Sequence, residues 1–185
     1  MGMTYFRRYR MEFDLRRSVP EIPSLPFGYE LIPFNESLVR DHATAKFHSF
    51  RSELDADVFP CLAKQDGCLR LMREIARRNG FVPEATWLLR NRDTGTGRSL
   101  PVGTIQGISI DDWGAIQNLG VTDPHRGKGL GSLLLLKAAA GFQKVGLQRM
   151  HLEVTTENSA AVRLYERLGF KKTKVVYKAA EVAGA

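Results

Sequence analysis

From residue 5 to residue 15 the chain alternates. Tyr5, Tyr9, Met11, Phe13 and Leu15 share one parity, while Arg8, Arg10, Glu12 and Asp14 share the other, with Phe6 and Arg7 as exceptions. The pattern predicts a half-buried strand with a charged outer face. Pro20, Pro23 and Pro26 then form a stiff connector that cannot join a sheet interior. A short strand is expected over 29–34. Asn35 or Ser37 can cap a helix that runs to about residue 50. A second helix over 67–78 sets Leu69, Met72, Ile75 and Ala76 on one face and Arg70, Arg73, Arg77 and Arg78 on another, which reads as a solvated basic face. Between these helices, residues 53–57 read as an acidic loop ahead of Phe59 and Pro60.

Three strands follow at 85–90, 101–110 and 114–121, separated by turn signals at 93–97 and at Asp111-Asp112. Their short connections predict an antiparallel meander. A long helix over 129–145, a strand over 150–155, a helix over 159–168 and a last strand over 174–177 complete the chain. Antiparallel strands followed by a strand-helix-strand crossover give an α/β fold of the α+β type, with a mixed, mostly antiparallel sheet and helices on both faces. The 185 residues fit one domain. Residues 1–26 read as an N-terminal strand with its Pro-rich connector, and residues 27–185 as the domain proper.

Composition narrows the picture little: 43% hydrophobic and 25% charged residues exclude disordered and collagenous chains. Charge is more useful. The net formal charge of +7 equals that of residues 124–185 alone, where eleven basic residues face four acidic ones, because the excess in residues 1–17 cancels the deficit in 18–123. An anionic partner is therefore expected at the last third. Cys61 and Cys68 are too few for a disulfide framework and too far apart for the common metal spacings, which points to a reducing cytoplasm. The longest apolar run, residues 133–136, is far short of a membrane span, and the N-terminus shows no apolar stretch of signal-peptide length.

The most informative segment runs from Asn118 through Asp123-Pro124-His125-Arg126-Gly127-Lys128-Gly129-Leu130-Gly131 into a Leu-rich helix. A glycine turn opening a helix can aim backbone N–H groups and the helix dipole at an anion, and Arg126 and Lys128 add full charges. The P-loop pattern fails because Gly127-Lys128 is followed by Gly129 and Thr122 stands where its first glycine belongs. The dinucleotide fingerprint is disfavoured by Ser132 in place of a third glycine. What remains is Arg-x-x-Gly-x-Gly at Arg126, Gly129 and Gly131, against the plain alternative of a glycine-eased strand-to-helix turn.

About thirty residues later comes His151-Leu152-Glu153-Val154, then Asn158, Ala161, Leu164-Tyr165 and Gly169-Phe170. Together the two segments resemble the GNAT superfamily of acyl-CoA-dependent N-acyltransferases over residues 118–170. The resemblance implies a single domain in which a splayed parallel strand pair, here 114–121 and 150–155, holds acyl-CoA. It implies that Leu119 and Val121 meet the pantetheine arm, that Arg126, Gly127, Lys128, Gly129, Leu130 and Gly131 form the phosphate turn, and that Asn158 and Tyr165 line the arm and the thioester. Asn158 can equally be only a helix cap, and Tyr165 only a buried aromatic. Tyr165 would assist the departing thiolate, and Glu153 would be the general base, as in ribosomal-protein N-terminal acetyltransferases of this family. Asp111, Asp112, Glu84, Glu53, Asp55 and Asp57 are fallback bases, and the acidic residues at 53–57 would attract a cationic amine or simply be solvated.

The resemblance thus implies an enzyme that moves the acetyl group of acetyl-CoA, as cosubstrate, to a primary amine on a small molecule or a peptide, with no metal and no membrane partner. A non-catalytic acyl-CoA sensor is the alternative. Nucleic acid is disfavoured, since no groove-reading module surrounds the Arg face. The N-terminal strand could pair within the chain or across a homodimer.

Overall fold

The alternating N-terminal segment forms strand β1 (Gly2–Asp14), and it pairs on both sides within the chain. The computed structural model describes residues 2–93 and 95–182, so Thr94, inside the predicted turn at 93–97, lies outside the described residues. Six more strands join β1 in one sheet: β2 (Tyr29–Pro33), β3 (Phe81–Arg92), β4 (Ser99–Ile110), β5 (Trp113–Val121), β6 (Arg149–Thr155) and β7 (Lys171–Val182). Their spatial order is β2-β3-β4-β5-β6-β1-β7. β3, β4 and β5 form the expected antiparallel meander, and the β5–β6 pair is parallel.

The helices are α1 (Val39–Phe50), α2 (Leu54–Val58), α3 (Gln65–Ala76), α4 (Leu130–Lys144) and α5 (Ser159–Arg167). Successive residues of β4 show why both faces are covered. Gly103 and Gly107 approach Leu134 and Phe142 of α4, whereas Thr104 and Gln106 bond to His42 and Lys46 of α1. The larger core joins α4, α5 and the sheet through Leu89, Ile105, Leu134, Phe142, Met150 and Tyr165. A second core forms where α1 packs on α3 through Ala43, Phe50, Leu62, Cys68 and Met72. Arg70 and Arg73 on α3, and Arg77 and Arg78 just past its end, are exposed, matching the solvated basic face expected there. Cys61 and Cys68 are free thiols. No helix among the described residues is long and apolar enough to cross a membrane.

Four expectations need correcting. Tyr5 shares the buried parity yet is 66% exposed, because β6 reaches along β1 only as far as the Arg8–Thr155 pair and leaves the start of β1 in a two-stranded ribbon with β7. Arg8, on the supposedly charged outer face, is buried at 7% exposure. The acidic loop contains the short helix α2, anchored by the buried Val58. The last strand extends well past 174–177 at both ends, because β7 is an edge strand with two largely wet faces and so carries little hydrophobic alternation.

Candidate active site

The parallel strands β5 and β6 are in register only at Gly114–Met150 and Ala115–His151. Beyond that point an extra residue in β5 shifts its register with β4, and Asn118 takes a left-handed conformation with φ of 47°. Such a bulge bends its strand and strengthens its twist. The two strands part, and a cavity of about 580 Å³ opens between them, walled by Leu119, Gly120 and Val121 on one side and Leu152, Glu153 and Val154 on the other. Gly120 marks a close approach: a Cβ there would fall 2.7 Å from the Ser49 Cβ and 2.8 Å from the Phe50 ring.

The glycine turn closes one end of this cavity. β5 ends at Val121, and a 3-10 turn (Asp123–His125) leads to Gly127 and Gly129, whose φ angles of 73° and 74° lie in the left-handed region that favours glycine. Gly129 is the N-cap of α4 and no side chain caps it, so the first N–H groups of the helix remain open beside Gly127, Gly129, Leu130 and Gly131 at the cavity wall. Arg126 is differently employed. Its guanidinium donates to the Val121 and Ser49 carbonyls, both at 2.9 Å, and pairs with Glu53 at 2.7 Å and Asp123 at 2.6 Å. It staples the turn to the end of α1. Lys128 is exposed and does not line the cavity, and His125 Nδ1 lies 2.6 Å from the Tyr29 hydroxyl. Gly129→Ala should lower acetyl-CoA affinity about tenfold, since a Cβ in the left-handed region costs ~1–2 kcal/mol. Calorimetry with acetyl-CoA checks this.

Asn158 caps α5 by accepting from the Ala161 N–H at 3.2 Å, and it also lines the cavity, which leaves its amide N–H groups for a ligand. Tyr165 lies two turns further along the same helix, 8% exposed and facing the same space. Burial raises its hydroxyl pKa, a nearby Asp55 carboxylate raises it further, and Arg8 opposes both.

Around Tyr165 stands a charged cluster. Arg8 Nη1 pairs with Glu153 Oε2 at 3.3 Å, Nη2 donates to the Glu153 carbonyl at 2.9 Å, and the guanidinium carbon lies 4.9 Å from the centre of the Phe59 ring. Burial pulls the Arg8 pKa down, against the pull of Glu153 and Asp55. Asp55 lines the cavity from α2, and burial holds its carboxyl above the usual carboxylate range despite Arg8. Among the described residues, Arg8 Nε and Ser49 Oγ are buried at the cavity wall without a partner. These are unmet polar groups where a polar ligand arm would run.

Behind β5 lies a polar layer that the sequence pattern hid. Lys46 is fully buried and donates to Gln106 Oε1 and, at 3.2 Å, to Asn118 Oδ1, so it holds the bulge from the α1 side. His42 Nδ1 lies 2.8 Å from the Thr104 hydroxyl. Burial pushes Lys46 down to about 7 and His42 down to about 3. Above pH 7 the folded chain releases the Lys46 proton that the unfolded chain keeps until its ordinary value of 10.5, so stability climbs with pH in that window. One such proton contributes at most about 1.4 kcal/mol per pH unit. Cys68, raised to about 11 from 9.0 by burial, opposes this above pH 9. Lys46→Met should flatten the rise between pH 7 and 9 in urea unfolding; an unchanged slope would show that Lys46 is charged in the fold.

Residues 52–170 match the model of the "Acetyltransferase (GNAT) family". The chain is 29% identical over 182 residues to the mycothiol acetyltransferase of Actinosynnema mirum, covering 91% of this chain and 54% of that protein. It is 38% identical over 64 residues to the N-alpha-acetyltransferase MAK3 of Arabidopsis thaliana, 35% of this chain and 34% of that one. Among solved structures, the GCN5-related N-acetyltransferase from Sphaerobacter thermophilus has the same fold, with a TM-score of 0.68 at 24% identity over 96% of this chain and 52% of that chain. The chain thus spans about half the length of the Actinosynnema protein and of the Sphaerobacter chain.

Proposed function

The chain belongs to the acetyltransferase (GNAT) family, and from that premise we propose that it transfers the acetyl group of acetyl-CoA to a primary amine of a small molecule or a peptide. One observation supports this reading above all. The β5 bulge parts two parallel strands into a cavity that has open helix N–H groups at one end and the Tyr165 hydroxyl within it.

In this reading residues 27–185 carry the family domain and residues 1–26 add a strand to it. The N–H groups at Gly127, Gly129, Leu130 and Gly131 would hold the pyrophosphate, with Lys128 lending charge nearby and Arg126 stapling the turn. Backbone groups of Leu119 and Val121, the Asn158 amide and the Ser49 hydroxyl suit the polar arm. Bound acetyl-CoA supplies the thioester. Tyr165, held protonated by burial, donates to the departing sulfur. Glu153 fixes Arg8 across the mouth.

The net charge of the cluster favours a cationic acceptor: Arg8 is one cation against the Glu153 and Asp55 carboxylates. The relatives differ in acceptor by name, a mycothiol acetyltransferase in one case and an N-alpha-acetyltransferase in the other, which is consistent with a shared acetyl-CoA site and a variable acceptor side. Release of free thiol from acetyl-CoA with a panel of peptide N-termini, lysine peptides and polyamines tests the reading. Release should depend on the amine. Acetyl-CoA binding without release for any amine would favour a sensor instead.

A further inference from the structure

We propose that Asp55 is the group that takes the proton from the acceptor amine, beside the ion pair of Arg8 and Glu153. This assignment rests on the acetyltransferase reading above. An alkylammonium cannot attack a carbonyl, so its proton must first be taken, and a carboxylate at the thioester end is suited to take it. Glu153 and Asp55 both line that end of the cavity. They are not equivalent. The Glu153 carboxylate is tied to Arg8 at 3.3 Å, its backbone carbonyl takes a second bond from the same guanidinium, and its side chain is 40% exposed. Its carboxylate is already committed to an ion pair.

Asp55 stands in the opposite situation. It comes from α2, a helix of five residues fixed by the buried Val58, and its carboxyl is half-buried within electrostatic reach of Tyr165. The charged and titratable groups near it are Arg8 from β1, Tyr165 from α5 and Glu53, just before α2 and paired with Arg126. Glu153 of β6 and Arg163 and Arg167 of α5 line the same cavity, and Lys178 of β7 lies 5.7 Å from the Phe59 ring centre. Arg8 feels both acids but is ion-paired with Glu153, so the Asp55 carboxylate is left to serve an ammonium. Burial lifts Asp55 towards the pH at which it would work, and lifts Tyr165 so that it stays a donor. One environment thus produces a base and an acid side by side.

The step balances. The ammonium gives one proton to the Asp55 carboxylate, and the freed nitrogen lone pair forms the C–N bond as the C–S bond breaks. The sulfur, hydrogen-bonded by Tyr165, ends with the second amine proton, and Asp55 returns its own proton to solvent. The products are an amide, the free thiol and one proton.

The test compares wild type, Asp55→Asn and Glu153→Gln in thiol release against pH, with acetyl-CoA affinity by calorimetry and the carboxyl-carbon NMR titration of Asp-labelled protein alongside. Wild-type kcat/KM for the amine should level off above the Asp55 midpoint, which the NMR titration should find above the ordinary aspartate value of 3.8. Asp55→Asn should keep acetyl-CoA affinity within twofold and lose about 100-fold in kcat/KM at pH 7. Its residual activity should rise tenfold per pH unit until the amine's own pKa, where the free amine forms unaided. Glu153→Gln leaves Arg8 without its carboxylate partner, so its profile should keep a plateau, with the midpoint moved to lower pH by the stronger pull of Arg8 on Asp55. A wild-type profile in Asp55→Asn, or loss of the plateau in Glu153→Gln alone, overturns the assignment while leaving the acetyltransferase reading intact. Wild-type protein that releases no thiol with any amine overturns both.

Discussion

Tyr165→Phe should lower kcat by two to three orders of magnitude while leaving the calorimetric affinity for acetyl-CoA within twofold. The substitution removes one hydroxyl from a residue that is 8% exposed and keeps the ring, which packs in the main core and lies 6.0 Å from the Phe170 ring centre. Stability is therefore nearly untouched and the effect falls on the leaving group. A thiolate expelled into a cavity without a donor is poorly solvated, and general acid assistance is commonly worth 10²–10⁴ in rate. Burial raises the Tyr165 pKa, so the hydroxyl is a hydrogen-bond donor at every physiological pH. Turnover in Tyr165→Phe within threefold of wild type would remove Tyr165 from the chemistry.

The largest loss of stability should come from Phe142→Ala. Phe142 is fully buried on α4, and its ring occupies the space that Gly107 and Gly114 leave open, where Cβ atoms would stand 2.6–2.9 Å from it. The ring thus lies flat against the backbone of β4 and β5. Neither glycine has a side chain that could relax into the hole, so the cavity left by truncation stays large. A cost of about 3–5 kcal/mol is expected in urea unfolding, a large part of the 5–15 kcal/mol that holds such a domain together. A loss below 1 kcal/mol would mean that the strands collapse onto the gap. Gly114 also anchors the last in-register stretch of β5 and β6, so weaker acetyl-CoA binding should accompany the instability.

The parts of the site legible in the sequence are those in which short-range order does the work. Gly127 and Gly129 are required by their own backbone angles, and Asn158 and Tyr165 face one cavity because seven residues make two helical turns. The residues that stayed hidden reach the site by other means. Arg8 looks like one more charge on a strand until β6 and Phe59 cover it. Lys46 and His42 sit on the face of α1 that turns to the sheet, so the buried face of that helix is polar and its periodicity misleads. Asp55 sits where charge density argued for a loop, and only the anchoring of Val58 makes it part of a helix. The same limit applies to β7, whose pairing with β1 rather than its side chains makes it a strand.

That pairing has a kinetic side. β1 closes against β6 and β7 through partners such as Arg8 and Glu153, which are 145 residues apart in the chain. Contacts of such long sequence separation are formed against loop-closure entropy and slow the final assembly of a domain. Because Arg8 arrives with β1, the acceptor end of the cavity becomes complete only when a contact spanning 145 residues of chain is made. Binding of an amine acceptor, more than binding of acetyl-CoA at the α4 turn, should therefore report that the last strand has docked.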